Sequence, residues 1–224
     1  MTTKQYSKAS NYRRAVKQSP AMQAFKNKIL MFLSITNASD AIVYHMIQDL
    51  SRMTSMPFYG ETRNYGIKNK MCSNIVIKSY CELFVYYYQK THDIDFIKEI
   101  IKWLSRQQNQ HFRKLSKIHP QQKAKKKVLE SMGQSGVFEH PIPVSYSKSV
   151  LIQYIQTEDL GRINKYIDFI WENTYQVFLE TTLDQTVNAT YSDTMPANWN
   201  WEDTSNNYPF QRYVSVGIPS SEYL

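Results

Sequence analysis

The stretch Gly133-Gln-Ser-Gly-Val-Phe-Glu-His-Pro-Ile-Pro-Val144 decides how the chain is organised. Its two glycines predict the end of a helix, and Val137-Phe138 predict the start of a short strand. The two prolines that follow His140 exclude both a helix and a central sheet ladder at that point. We therefore expect the side chains of Glu139 and His140 at the end of a strand, on a stiff backbone, and they form a candidate site.

The regions on either side of this stretch differ in charge. Residues 1–156 carry 24 Lys and Arg against 9 Asp and Glu, whereas residues 157–224 carry 3 against 10. The whole chain has 224 residues and a net charge of +8, and it is long enough to bury a core. The asymmetry predicts a basic face for a polyanion and an acidic part that docks on that face or points elsewhere. Charge that serves only solubility is the alternative interpretation.

The pattern of apolar residues predicts the fold class. A helix from about 69 to 90 is apolar nearly all round, which places it centrally, and a further helix is expected from Asp93 to about Ile118. Residues 136–140 and 174–181 have the composition of strands and could pair. The sequence thus predicts a mostly helical single domain of the α+β class, with a minimal two-stranded sheet. Its expected parts are a basic helical region (1–132), an α+β region with the site (133–192) and an aromatic tail (193–224).

A dense run of positive charge lies within the helical region. From Lys98 to Lys127 there are ten Lys and Arg and one acid, Glu99. Like charges at this density repel one another unless a polyanion neutralises them, and phosphate contacts need such clusters. A solvated helical face is the more ordinary alternative. We expect DNA or RNA as the partner, with these binding residues: Arg106, Arg113, Lys114, Lys117, Lys123, Lys125, Lys126 and Lys127.

Two short motifs resemble nuclease families. The segment Arg106-Gln-Gln-Asn-Gln-His111 is similar to the Arg-x4-His motif of HEPN ribonucleases, which are helical proteins that act on RNA. The string Val-Phe-Glu-His-Pro-Ile-Pro-Val-Ser (137–145) resembles the first half of the core of HNH (His-Me finger) nucleases. In that core an acid or a His precedes a His, and Pro follows three positions later. A strand and a short helix carrying Asn and a final His or Asn come next.

The HNH resemblance implies roles for the two neighbouring side chains. His140 would be the general base that activates water, and Glu139 would bind a divalent metal ion, Mg²⁺ or Mn²⁺. If residues 174–181 pair with the strand before His140, Glu180 or Asp184 would come near the imidazole. Arg212 could close the site beside Glu139 or hold a phosphate. The purely structural alternative gives Glu139 a cap or salt bridge and packs His140 beside a proline.

The C-terminal region is aperiodic and aromatic from Ser192 onward. Such a composition normally buries surface, so we expect Trp199, Trp201, Phe210 and Tyr213 to pack back onto the helical body. The alternative is an exposed strap that orders against another subunit or protein. The combination of the Glu-His-x-x-Pro segment with a later Met-Pro-x-x-Trp and Arg-Tyr is typical of phage or mobile-element proteins.

These observations favour a nucleic-acid-binding protein that acts through a basic helical face. The alternatives are a metal-dependent HNH-like nuclease that uses Glu139 and His140, and a protein-binding inhibitor or assembly module that uses the tail. No apolar run approaches the roughly 18 residues that a membrane span needs, and the N-terminus does not resemble a signal peptide. We therefore expect no membrane contact and a cytoplasmic location. The sequence identifies no cofactor with certainty, and a nuclease would use Mg²⁺ or Mn²⁺.

Overall fold

The computed structural model describes residues 73–106 and 112–224, together with the single positions Asn27 and Met31. The helices of this part are α1 (Ser73–Thr91), α2 (Ile94–Arg106), α3 (Pro120–Ser131), α4 (Val144–Gln156), α5 (Leu160–Asn173), α6 (Thr181–Tyr191) and α7 (Gln211–Ser215). The strands are β1 (Lys117–Ile118), β2 (Gly136–Glu139) and β3 (Tyr175–Glu180). Single 3₁₀ turns lie at Arg113–Leu115 and Ser220–Glu222. The predicted fold class, mostly helical α+β, is confirmed.

Helix α1 is the central element of the main core. Its buried residues surround most of the helix and include Val76, Tyr80, Phe84 and Tyr87. It packs against α2, α4 and α5. The helix ends where His92 adopts a positive φ of 53°, and the carboxylate of Asp93 then accepts from the amide of Phe96 to cap α2. A wide apolar face therefore packs α1 against these three helices, in the central position that the sequence predicted, whereas Ile75, Glu82 and Tyr86 are exposed on its other side.

A small sheet lies beside this helical core. Strand β2 pairs antiparallel with β3 in the register Gly136 to Glu180 and Glu139 to Val177. The predicted pairing of the two strands is confirmed. A third strand, β1, pairs parallel with the other edge of β3, so the strand order is β1-β3-β2. The expected two-stranded sheet therefore has three strands.

The segment before β1 differs from the expected long helix. Helix α2 is described as far as Arg106, and Arg113–Leu115 and Lys117–Ile118 form a 3₁₀ turn and β1 instead of the last part of a helix that reaches Ile118. Contacts distant in sequence hold this conformation. The side chain of Gln176 donates to the carbonyls of Arg113 at 3.1 Å and Ser116 at 2.7 Å, and the hydroxyls of Ser116 and Thr174 bond at 2.6 Å. These bonds satisfy polar groups that helix bonds would otherwise have used.

Residues 192–224, which we call the C-terminal strap, pack back onto the body as predicted. Trp199 is buried in the main core beside Tyr146 and Phe169. Phe210 and Tyr213 belong to a second core between the sheet, α6 and the end of the chain. Among the described residues, every helix is too short or too polar to cross a membrane.

Candidate functional site

His140 lies in the short connection between β2 and α4. The strand ladder stops at Glu139 because the residue after His140 is a proline, and the three residues before α4 are buried. The Nε2 of His140 donates to the carbonyl of Arg113 at 2.9 Å. This bond defines the tautomer, since a carbonyl only accepts, and it leaves Nδ1 as an acceptor. No described residue occupies that second nitrogen.

The pKa of His140 is lowered from its ordinary value of 6.5. Burial is the main cause because it disfavours the charged imidazolium, and the nearby charge of Arg113 acts in the same direction. The hydrogen bond to the Arg113 carbonyl acts in the opposite direction and is a larger effect than the charge of Arg113, but a smaller one than burial. The imidazole is consequently neutral at pH 7 and able to accept a proton.

The imidazole forms part of the wall of a cleft of about 370 Å³. The end of α2, the 3₁₀ turn before β1, the end of β2, the start of α4 and the end of α6 meet there. This volume lies within the ~300–1,000 Å³ range of small-molecule sites. The chemically capable side chains of the wall are Arg113, Glu139, His140, Ser145, Lys148, Asn188 and Asp193.

Glu139 lines the cleft and forms an ion pair with Arg212. Its carboxylate accepts from an Nη of Arg212, whose side chain is fully buried, whereas that of Glu139 is 20% exposed. The other Nη of Arg212 donates to the carbonyl of Tyr191 at 2.7 Å, at the end of α6. Burial lowers the pKa of Arg212, but a guanidinium titrates so high that it stays charged. Arg212 thus lies beside Glu139, out of reach of a phosphate in solvent.

The residues at Glu139 do not fit a divalent metal ion. The carboxylate that the HNH resemblance assigns to the metal already carries the positive charge of Arg212. A divalent ion there would be repelled by a guanidinium that is held in a low-dielectric interior. Within the described residues, no cluster of three or more His, Cys, Asp or Glu side chains could hold a metal ion.

Strand β3 and helix α6 arrange the acidic residues differently from the expectation. Glu180 lies opposite Gly136, at the far end of the ladder from His140, because the strands are antiparallel. The expectation that Glu180 approaches the imidazole is wrong. Asp184 is one turn of α6 before Asn188, accepts from the Asn188 amide at 2.9 Å, and is not part of the cleft wall. Burial raises the pKa of Asp184.

Strands β2 and β3 and helix α6 lie together beside the cleft. The two strands are antiparallel and α6 packs on both, with Asn188 reaching the cleft. In the chain, helices α4 and α5 lie between β2 and β3, whereas in an HNH core a second strand comes next. The resemblance itself stays a prediction.

The predicted nucleic-acid-binding residues fall into two groups. Three of them interact with other side chains of the protein. Lys117 lies 3.6 Å from the ring centre of Trp171, Lys125 bonds the Glu222 carboxylate at 2.6 Å, and Lys126 lies 3.6 Å from Glu130. Four are exposed without an acidic partner among the described residues: Arg113, Lys114, Lys123 and Lys127. The side chain of Arg106, and His111 of the HEPN-like motif, lie outside what the structure describes.

Several residues of the cleft were not identified from the sequence. Ser145 and Lys148 come from the first two turns of α4, and Ser145 donates to the carboxylate of Asp193 at 2.6 Å. Asn188 comes from α6. The sequence feature that could have identified Ser145 and Lys148 is Pro143, because a helix that begins directly after it starts beside His140.

Comparison with models of protein families, with curated proteins and with solved structures gave no match.

Proposed function

We propose that the protein binds nucleic acid through a cationic surface made by Arg113, Lys114, Lys123 and Lys127. The observation that supports this is the division of cations within residues 113–127. Three of them have partners inside the chain, whereas these four are exposed with no acidic partner in the described part. Exposed like charges repel one another, and a phosphodiester backbone removes that repulsion while releasing counterions.

The positions of these cations support a surface that is continuous with the cleft. Helical spacing puts Lys123 and Lys127 on one flank of α3, next to Lys126. Lys126 lies 5.5 Å from the ring centre of Phe138, which is itself part of the cleft wall. Arg113 lines the cleft directly. A strand of nucleic acid that follows the flank of α3 would therefore reach His140.

The segment that carries these cations is held in place by the body. Gln122, on the opposite side of α3, accepts from the amide of Phe178 at 2.9 Å, and β1 pairs with β3. Lys125 ties the same helix to the C-terminal strap through Glu222. A cationic surface on a rigid element loses little conformational entropy on binding, which favours affinity.

The salt dependence of binding tests this proposal. We expect the logarithm of the affinity for a labelled oligonucleotide to fall linearly with the logarithm of the salt concentration. The slope should be about −0.7 per phosphate for a single strand and about −0.9 for a duplex. The double variant Lys123→Glu/Lys127→Glu should flatten this slope by about 1.4 to 1.8 and weaken binding about tenfold or more at low salt. Fluorescence anisotropy measures both quantities.

A matched control reverses two other exposed charges. Lys90 at the end of α1 and Lys165 in α5 are exposed and lie outside residues 113–127. The variant Lys90→Glu/Lys165→Glu makes the same change in net charge and should retain most of the affinity and of the slope. Affinity that does not depend on salt, or an equal loss in both double variants, would refute the cationic surface.

The two alternative functions have less support from the geometry. A metal-dependent nuclease would need Glu139 for the metal ion, and that carboxylate is paired with Arg212. Protein binding by the strap would need its aromatic rings, and Trp199, Phe210 and Tyr213 are buried within the chain.

A further inference from the structure

We propose that the cleft cleaves RNA by attack of a ribose 2′-hydroxyl on the adjacent phosphate, with His140 as the base and without a metal ion at Glu139. The inference rests on the proposed nucleic-acid binding and adds an activity and a substrate class to it. Three features of the cleft carry it: an oriented acceptor nitrogen, cations beside it, and a carboxylate that is already neutralised.

The first feature is the orientation of the imidazole. The bond from Nε2 to the Arg113 carbonyl places the proton on that nitrogen and leaves the lone pair on Nδ1. Arg113 belongs to the cleft wall as well, so the backbone that orients His140 is part of the same site. Burial keeps the imidazole neutral by lowering its pKa. A neutral, oriented imidazole is the usual group that removes a proton from a hydroxyl.

The second feature is positive charge around the imidazole. Arg113 and Lys148 line the cleft, and the first turn of α4 contributes Val144 and Ser145. Two carboxylates line the same space: Glu139, which is paired with Arg212, and Asp193, which accepts from the hydroxyl of Ser145 at 2.6 Å. The cations can bind the two non-bridging oxygens of a phosphodiester and stabilise the additional negative charge of a five-coordinate phosphorus.

The third feature decides between RNA and DNA. With Glu139 paired to the buried Arg212, this carboxylate cannot hold a metal ion that would activate water. A neutral imidazole alone is a weak activator of water, whereas a neighbouring 2′-hydroxyl is already positioned beside the phosphorus. Only RNA carries that hydroxyl. The chemistry of the site therefore selects RNA as the substrate.

The step balances without a further reagent. His140 Nδ1 takes the proton of the 2′-hydroxyl while the 2′ oxygen forms a bond to phosphorus. The bond from phosphorus to the 5′ oxygen of the next nucleotide breaks, and that oxygen takes a proton from water. The imidazolium returns its proton to solvent. The products are one strand that ends in a 2′,3′-cyclic phosphate and another that begins with a 5′-hydroxyl.

The test uses the whole chain and a labelled single-stranded RNA in the presence of EDTA. We expect cleavage products that end in a 2′,3′-cyclic phosphate, and mass spectrometry identifies them. An RNA with one 2′-deoxy nucleotide at the cleavage position should stay intact there, as should DNA of the same sequence. Binding of each oligonucleotide is measured in parallel by anisotropy.

Two substitutions at one position separate chemistry from folding. His140→Ala removes the base, and His140→Gln also removes it but keeps an N–H donor near the position of Nε2 for the Arg113 carbonyl. Both should lower the cleavage rate about a hundredfold or more, while the affinity for RNA changes less than about threefold. His92→Asn changes an exposed histidine outside the cleft and should cleave at the wild-type rate.

Each other outcome overturns a defined part of the account. Binding without cleavage refutes this inference and leaves the proposed function standing, whereas absence of both refutes the two together. Cleavage that requires added Mg²⁺, or that also occurs at the 2′-deoxy position, refutes the internal attack. Equal cleavage by wild type, His140→Ala and His140→Gln shows that the activity belongs to a contaminant or to another site.

Discussion

Arg212 is a fully buried cation with two identified partners, the Glu139 carboxylate and the Tyr191 carbonyl. Its Nε has no hydrogen-bond partner among the described residues. Removing an ion from water costs several kcal/mol, and the attraction to a buried partner offsets that cost only while both charges are present. The pair joins β2, the end of α6 and the C-terminal strap at one point behind the cleft.

Loss of the Glu139 charge should therefore destabilise the protein. Glu139→Gln keeps the shape of the side chain but leaves Arg212 buried without a counter-charge. We expect the free energy of unfolding to fall by about 3 kcal/mol, at the lower end of the range for broken buried pairs, because Glu139 is partly exposed. Urea denaturation measures this change.

Two further variants define the cause of that loss. Glu172→Gln removes an exposed charge on α5 and should change stability by less than about 0.5 kcal/mol. The double variant Glu139→Gln/Arg212→Met removes both charges. Its loss of stability should be smaller, by about 1 kcal/mol or more, than the summed losses of the single variants Glu139→Gln and Arg212→Met. A loss below about 0.5 kcal/mol for Glu139→Gln would show that the pair does not hold the cleft wall.

At the scale of elements, the contact between β2 and β3 depends on the absence of a side chain at Gly136. A Cβ at that position would lie 2.2 Å from the carbonyl oxygen of Leu179 and 2.8 Å from the ring of Phe178. The first of these atoms is backbone in the paired strand and cannot move without breaking the ladder. The glycine thus allows the close approach of β2 to β3 that sets the position of His140.

Gly136→Ala should lower the free energy of unfolding by about 1–3 kcal/mol, the usual cost of forcing extra atoms into a packed interior. Gly161→Ala is the matched control. Its Cβ would meet only the side chain of Asp159, at 3.3 Å, and alanine is the better helix former, so stability should change by less than about 1 kcal/mol. Thermal unfolding of both variants gives the comparison, and equal stabilities would contradict the steric argument.

At the scale of the whole molecule, the end of the chain completes the second core. Tyr223 is 4% exposed, and its ring centre lies 5.4 Å from that of Phe210 and 5.6 Å from that of Tyr213. Its carbonyl accepts from the hydroxyl of Tyr175 at the start of β3. The strap is therefore a structural part of the sheet region rather than an appendage.

Truncation of this ring should have a large effect. Tyr223→Ala should reduce the free energy of unfolding by about 3 kcal/mol, because it leaves a cavity among aromatic rings. Leu224→Ala changes the adjacent residue, which is 66% exposed, and should be nearly neutral. Chemical denaturation that finds the two variants equally stable would contradict the structural role of the strap.

The sequence by itself determined the features that depend on local pattern. Helical spacing predicted α1 and the described part of α2, because the burial of one face repeats with the period of the helix. The glycines and prolines around His140 predicted the end of a helix, a short strand and a stiff connection, because those residues restrict the backbone whatever surrounds them. The excess of aromatic residues predicted that the strap is buried.

Only the tertiary structure decided the features that depend on partners distant in the chain. Strand β1 has two residues and exists because β3 offers its edge, so no local pattern could identify it. The antiparallel register placed Glu180 away from His140, and it brought Arg212 from the strap to Glu139. Which lysines of 113–127 have a partner within the chain also depended on packing, because Trp171 and Glu222 lie far along the chain. Charge and hydrophobicity are properties of residues, whereas pairing and burial are properties of the folded chain.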